Sequence, residues 1–252
     1  MKIYEDFINL INALINAQKF KSQSFINFSS EEKIVLFSYF YRVIDLSKSF
    51  ILLQMHGGSK TAPIILRSLL EAYLDLGNLA LSPKYIEFLC FCSLNSNNKL
   101  LNKNKHLINT TYLKDVNDFY NNLKEDEKQE TRLEQLKKIY SNDKFRWDLA
   151  IEKNLITDKE RIIYWRLCEE THNSPGKILE LYSKEPETLG LEISNNHNSD
   201  MNLVLNILYK TYKLILCTPL KGIEAMYNDL LNFFDKAENT NSKVGKQNKI
   251  CD

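Results

Sequence analysis

The sequence has few of the residues that end secondary structure, with 7 glycines and 5 prolines in 252 residues. A protein built of many short strands needs frequent turns, and such turns depend on these two residue types. Long segments instead show the three- and four-residue spacing of apolar positions that is typical of amphipathic helices. We therefore predict an all-α fold, a single-domain helical bundle of about 8–10 helices.

The chain also lacks a continuous apolar run of the roughly 20 residues that a membrane span needs. Glu5 and Asp6 stand where a signal peptide carries basic residues. The 5 cysteines include no C-x-x-C pair, and the 4 histidines form neither zinc-ligand spacing with them nor an H-E-x-x-H motif. We therefore expect a cytoplasmic protein with reduced thiols, no membrane partner, no metal and no other cofactor.

Charge of one sign does not predominate, because 33 Lys and Arg residues face 32 Asp and Glu residues, for a net charge of +1. Such a chain has no overall field that would draw it onto nucleic acid, so any RNA-binding surface must be local. Only 6 of the basic residues are arginines. Because arginine offers a planar, bidentate fork that lysine lacks, we give most weight to Arg67 and Arg166.

The apolar pattern indicates one domain over residues 1–236, followed by a polar tail at 237–252 that we expect to be disordered. The most apolar segment, Pro63 to Leu79, predicts a central buried helix that begins at a proline. The remaining predictions concern the periphery: one or two charged helices over Lys114 to Tyr140, a short helix over Pro175 to Tyr182, and a surface loop over Ser183 to Asp200 that contains His197.

One candidate site is a polar line on the predicted central helix. Arg67, Glu71 and Asp75 follow each other at four-residue intervals, so they share one face of an otherwise apolar helix. Two interpretations are open. The line is either a narrow stripe that faces solvent, or it faces an internal cleft in which Arg67 meets a carboxylate or a phosphate.

The second candidate site is the segment from Arg166 to Asn173, in which Arg166 and His172 are separated by five residues. Positions six apart on an ideal helix point about 120° away from each other, so the two side chains converge only if the helix ends near Thr171 or two subunits share the site. Near a helix C-terminus, His172 could serve as general acid or base while Arg166 stabilises a phosphorane. The alternative is a capping histidine beside an arginine that pairs with a neighbouring glutamate.

Two stretches of the sequence resemble known families. R-S-L-L-E-A-Y-L-D-L at Arg67 to Leu76, followed by Y-W-R-L-C-E-E-T-H-N-S-P at Tyr164 to Pro175, resembles an uncharacterised bacterial helical family with an R-x-x-x-E helix and a late Tyr, Ser/Cys and His. The Arg166 to His172 spacing is similar to the R-x(4–6)-H motif of the HEPN superfamily. Leu167 departs from that motif, which usually has a polar residue after the arginine.

The HEPN resemblance implies a dimerising helical bundle that cleaves RNA without metal in toxin or antiphage systems. It assigns catalysis to Arg166 and His172, and we expect the site to be shaped by Arg67, Glu71, Tyr164 and Asn173. The leading hypothesis is thus a homodimeric HEPN-like endoribonuclease that binds RNA and is regulated by a partner protein. The alternative hypothesis is a non-catalytic helical module that binds a nucleotide or a protein.

Overall fold

The computed structural model describes residues 2–18, 28–57, 61–103, 144–171, 197–216 and 220–247. Within these residues the chain is helical, and the predicted all-α single-domain bundle is confirmed. The described elements are α1 (Lys2–Gln18), α2 (Ser30–Met55), α3 (Ala62–Leu81), α4 (Tyr85–Lys103), α5 (Lys144–Glu152), α6 (Asp158–Thr171), α7 (His197–Leu216) and α8 (Lys221–Gln247).

Two helices begin at reciprocal caps. At the start of α2, the Ser29 hydroxyl accepts from the Glu32 backbone N–H at 3.1 Å, and the Glu32 carboxylate accepts from the Ser29 N–H at 2.7 Å. Thr157 and Glu160 make the same pair of contacts before α6. Because each cap satisfies donors that the helix leaves unpaired, the chain enters both helices at a defined residue.

Helix α3 is the centre of the bundle, as its apolar composition predicts. Helices α2, α4, α5, α6 and α7 all pack against it. Every residue from Ala72 to Leu79 is buried, including the polar Asp75 and Asn78. A helix that is surrounded on this scale must satisfy its polar side chains inside the protein.

Helices α1 and α8 pack against each other at the edge of the bundle, and α1 also contacts α2 and α7. The rings of Phe7 and Phe234 meet edge to face, with their centroids 6.2 Å apart. Both side chains are fully buried. The two ends of the described chain therefore share one core with α3.

The structure differs from the predicted boundaries near the C-terminus. The predicted loop over 183–200 is wrong in its last four residues, because α7 begins at His197. The reason lies in Asp200, whose carboxylate is favourable in the first turn of a helix and is buried there against α6. Helix α8 continues to Gln247, beyond residue 236. The helices predicted over 114–140 and 175–182 lie outside the described residues.

Among the described residues, none of the helices combines the length and the apolar composition that a membrane span requires.

Candidate functional site

The polar line on α3 points into the protein rather than along its surface. The Asp75 side chain is 7% exposed, whereas those of Arg67 and Glu71 are 26% and 32% exposed. Arg67 Nε donates to Glu71 Oε1 at 3.2 Å, the contact between successive turns that the four-residue spacing predicts. The line thus runs from a half-buried end at Arg67 to a buried end at Asp75.

Helix α6 brings Tyr164 against the half-buried end of this line. The Tyr164 hydroxyl donates to Glu71 Oε1 at 2.8 Å, so a single carboxylate oxygen accepts from both Tyr164 and Arg67. The Arg67 guanidinium also lies over the Tyr164 ring, 5.7 Å from its centroid. The Tyr164 ring also packs against Trp147 of α5 at 4.3 Å between centroids.

Cys168, one turn after Tyr164 on α6, completes this group, which we call the α3–α6 polar cluster (Arg67, Glu71, Tyr164 and Cys168). The Cys168 and Tyr164 side chains are in hydrogen-bonding contact. Burial raises the pKa of Tyr164 well above its usual value, and the hydrogen bonds to Glu71 and Cys168 raise it further. Tyr164 therefore stays protonated and acts as a hydrogen-bond donor at neutral pH.

The charge of Arg67 is stabilised by the same neighbours. Burial acts to lower the pKa of Arg67, but its contacts with Tyr164, Cys168 and Glu71 outweigh this effect and raise the pKa overall. The cluster consequently holds one fixed cation beside one carboxylate. With side chains that are about a quarter to a third exposed, both charges remain within reach of a ligand in solvent.

Arg166 is directed away from this cluster, toward α7. Its Nη2 lies 2.6 Å from Asp200 Oδ1, and the Asp200 side chain is only 8% exposed. The ion pair joins the second half of α6 to the first turn of α7, where the helix N-terminus also favours a carboxylate. Arg166 thus has a role in packing α6 against α7.

His172 and Asn173 lie outside the described residues, and α6 is described as far as Thr171. The convergence of Arg166 and His172 therefore stays a prediction. Of the expected site-shaping residues, the structure brings together Arg67, Glu71 and Tyr164.

A second polar network, which the four-residue spacing on α3 does not predict, lies at the buried end of the α3 line. Arg146 of α5 binds Asp75 through both carboxylate oxygens, Nε to Oδ1 at 2.8 Å and Nη2 to Oδ2 at 3.2 Å. The Tyr85 hydroxyl donates to Asp75 Oδ1 at 2.7 Å, and the Asn78 side-chain amide donates to the Arg146 carbonyl at 3.0 Å. This network ties α5 and the start of α4 to α3.

Protonation in this network is governed by burial and by the ion pair. Burial raises the pKa of Asp75, and the Arg146 charge opposes that rise. For Arg146, burial is outweighed by the Asp75 charge, so its pKa rises. Burial and the neighbouring Asp75 also raise the pKa of Tyr39 to about 12. The ion pair and the Tyr85 hydrogen bond make this network a structural contact that joins α3, α4 and α5.

The sequence contains one signal that points to this network. Arg146 is one of only 6 arginines, and it lies next to one of the 2 tryptophans. The scarcity of arginine, which gives weight to Arg67 and Arg166, also makes Arg146 a candidate for a polar contact. Its partner could not be inferred, because Asp75 precedes it by 71 residues.

The described residues contain no group of three or more His, Cys, Asp or Glu side chains that could hold a metal ion. Comparison with known protein families shows a match over residues 33–188 to a family of unknown function, DUF5677. No curated protein and no solved structure matches the chain.

Proposed function

The chain belongs to the DUF5677 family, and we propose that it is a HEPN-like, metal-independent endoribonuclease of a toxin or antiphage system, acting in the cytoplasm as a homodimer. The observation that supports the proposal best is the α3–α6 polar cluster. It places the partly exposed Arg67 and Glu71 of α3 against the face of α6 that carries Tyr164 and Cys168.

In this proposal His172 removes the proton of a ribose 2′-OH, and the 2′-oxygen attacks the adjacent phosphorus. The bond from phosphorus to the 5′-oxygen breaks, and that oxygen takes up a proton. The products are a 2′,3′-cyclic phosphate and a 5′-hydroxyl end. Arg166 stabilises the charge of the phosphorane, and Asp200 holds its guanidinium in place from α7.

The cluster residues shape the site from the neighbouring helix. Glu71 fixes both the Arg67 guanidinium and the Tyr164 hydroxyl through one oxygen, so neither side chain is free to rotate independently. In this proposal the Arg67 cation orients the phosphate on which His172 acts. Asn173 follows directly after the proposed acid–base residue and is assigned to the same site.

The experiment is cleavage of a 5′-labelled RNA in EDTA by the wild-type chain and by His172→Ala. The wild type should produce fragments that end in a cyclic phosphate, and the variant should lose at least about 100-fold in rate, the usual contribution of general acid–base catalysis. His56→Ala is the matched control, because His56 is exposed at the end of α2. Equal RNA turnover by the wild type and His172→Ala would contradict the proposal.

A second candidate function is a non-catalytic helical module that binds a nucleotide or a partner protein. It is favoured by the engagement of Arg166 and Arg146 with the nearly buried carboxylates of Asp200 and Asp75, a structural use of both arginines. For this candidate, the wild type should not cleave RNA at any concentration. It should still bind a labelled nucleotide or RNA in fluorescence anisotropy, and Arg67→Ala should weaken that binding.

A further inference from the structure

Helix α2 has one face inside the bundle and one face exposed along its whole length. Its inner face packs against α1, α3 and α7. Its outer face carries seven exposed residues whose spacing alternates between four and three positions. We call this line the α2 stripe: Ile34, Ser38, Tyr41, Asp45, Lys48, Leu52 and Met55.

The α2 stripe is apolar toward both ends and charged at its centre. Ile34 is 66% exposed, and Tyr41, Leu52 and Met55 are each about 40% exposed. Single exposed apolar side chains are common on protein surfaces, but these four lie on one line of one helix. Spacing of four and three is the pattern by which one helix packs lengthwise against another.

The charged centre has no partner within the described part of the chain. Asp45 and Lys48 are both exposed, and neither makes an ion pair there, although they lie on adjacent turns. An apolar line with an anion and a cation at its centre is complementary to itself when the second copy runs in the opposite direction. Such a surface fits a twofold axis.

We propose that the α2 stripe is a docking surface for the α2 stripe of a second copy of this chain, with the two helices antiparallel. In the register that we assign, stripe residues from Ser38 to Met55 whose numbers add up to 93 lie opposite each other. Asp45 then faces the partner's Lys48, Tyr41 faces the partner's Leu52, and Ser38 faces the partner's Met55. The twofold axis repeats each of these pairs.

This register meets two requirements of antiparallel helix packing, one on the positions that are paired and one on their charges. In each pair, one residue lies four positions after the previous residue of the stripe, and its partner lies three positions after the previous one. Antiparallel helix packing pairs these two kinds of position. The two Asp45–Lys48 pairs at the centre select the antiparallel orientation, because a parallel arrangement in register would place like charges beside each other. Charged pairs at the centre fix the relative direction of the two helices but add little to the affinity. We therefore expect a reversible dimer whose population depends on concentration.

None of the residues of the proposed ribonuclease site lies on α2. The charge variants of the α2 stripe therefore test the dimer contact and His172→Ala tests RNA cleavage, so the failure of one proposal is distinguishable from the failure of the other. A wild type that stays monomeric would also contradict the homodimer of the proposed function, whereas a loss of RNA cleavage leaves the dimer contact unaffected.

The test is the mass in solution of the wild type, Asp45→Lys and Lys48→Asp, measured by sedimentation velocity from about 1 to about 100 µM, the range of modest affinities. The wild type should shift toward dimer mass with concentration. Each variant alone should remain a monomer, because it places two like-charge pairs across the axis. An equimolar mixture of the two variants should again reach dimer mass, since each mixed pair joins opposite charges.

Asp148→Lys is the matched control, because it makes the same charge change at an exposed position of α5. It should dimerise like the wild type. Leu52→Glu tests the apolar part of the stripe and should also give a monomer, while thermal unfolding checks that each variant is folded. A wild type that stays monomeric over the whole range overturns the proposal, and so does a mixture of the charge variants that fails to recover the dimer.

Discussion

Tyr164 and Glu71 are 93 residues apart in the sequence, and the Tyr164 hydroxyl donates a 2.8 Å hydrogen bond to Glu71 Oε1. The same oxygen accepts from Arg67 Nε, so the ion pair within α3 and the contact between α3 and α6 share one atom. Substitutions at any two of these three side chains should therefore have non-additive effects on the free energy of unfolding.

We predict that Tyr164→Phe and Glu71→Gln are coupled in their effect on stability. Tyr164→Phe removes one hydrogen bond to a charged acceptor and should lower the free energy of unfolding by about 1–2 kcal/mol. In a double-mutant cycle measured by urea unfolding, the double variant should lose less than the sum of the single variants. Strictly additive losses would show that the hydrogen bond does not link α3 to α6 in solution.

Removing Arg166 should destabilise the protein through Asp200. Arg166→Ala leaves a carboxylate that is 8% exposed without its cation, and we expect a loss of about 2–3 kcal/mol in chemical unfolding, below the value for a fully buried pair because Arg166 is partly exposed. Arg166→Ala/Asp200→Ala should recover part of this loss, since the unpaired charge is then absent. A double variant that is less stable than Arg166→Ala would contradict this account.

Stability should fall at alkaline pH between about 10 and 12. Burial raises the pKa of Tyr39 to about 12 from its ordinary value of 10.0. Above pH 10 the unfolded chain loses this proton while the folded protein keeps it, so rising pH favours unfolding until the folded pKa is reached. Each such tyrosine contributes a slope of up to about 1.4 kcal/mol per pH unit.

The tyrosine effect is measured by urea unfolding of the wild type and Tyr39→Phe across that pH range. The variant should show a smaller loss of stability with pH, because one proton fewer is linked to folding. Burial also raises the pKa values of Tyr73 and Tyr85, so part of the alkaline slope should remain in the variant. Identical slopes for the two proteins would refute the role of Tyr39.

Two glycine substitutions should have opposite effects. A Cβ at Gly77 would lie 2.7 Å from Leu155 Cδ1. Leu155 is buried and its carbonyl accepts from Tyr73 and Lys210, so it has little room to move. Gly77→Ala should therefore lower stability by about 1–3 kcal/mol.

Gly222 is the matched control for Gly77, because a Cβ there meets nothing within 4 Å. Gly222→Ala should leave stability unchanged or raise it by up to about 1 kcal/mol, since alanine loses less backbone freedom in a helix. Thermal unfolding of the two variants measures the difference. A Gly77→Ala protein as stable as Gly222→Ala would show that α3 and Leu155 are not in close contact.

How far the sequence predicted the site depended on the distance between partners along the chain. The Arg67–Glu71 contact follows from four-residue spacing and was predicted. Asp75 and Arg146 are 71 residues apart, and no local pattern relates them. Arg166 was selected as catalytic, but its partner Asp200 lies in a segment that was predicted to be a loop.

The helical fold and the buried position of α3 could be predicted from the sequence, because apolar periodicity acts over a few residues. Which polar side chains meet depends on the tertiary structure. Tyr164 joins Glu71, Arg146 joins Asp75, and Arg166 joins Asp200 because the packing of α5, α6 and α7 sets their distances. Helix rotation and packing depend on the whole core, so contacts between distant segments are fixed only when the bundle forms.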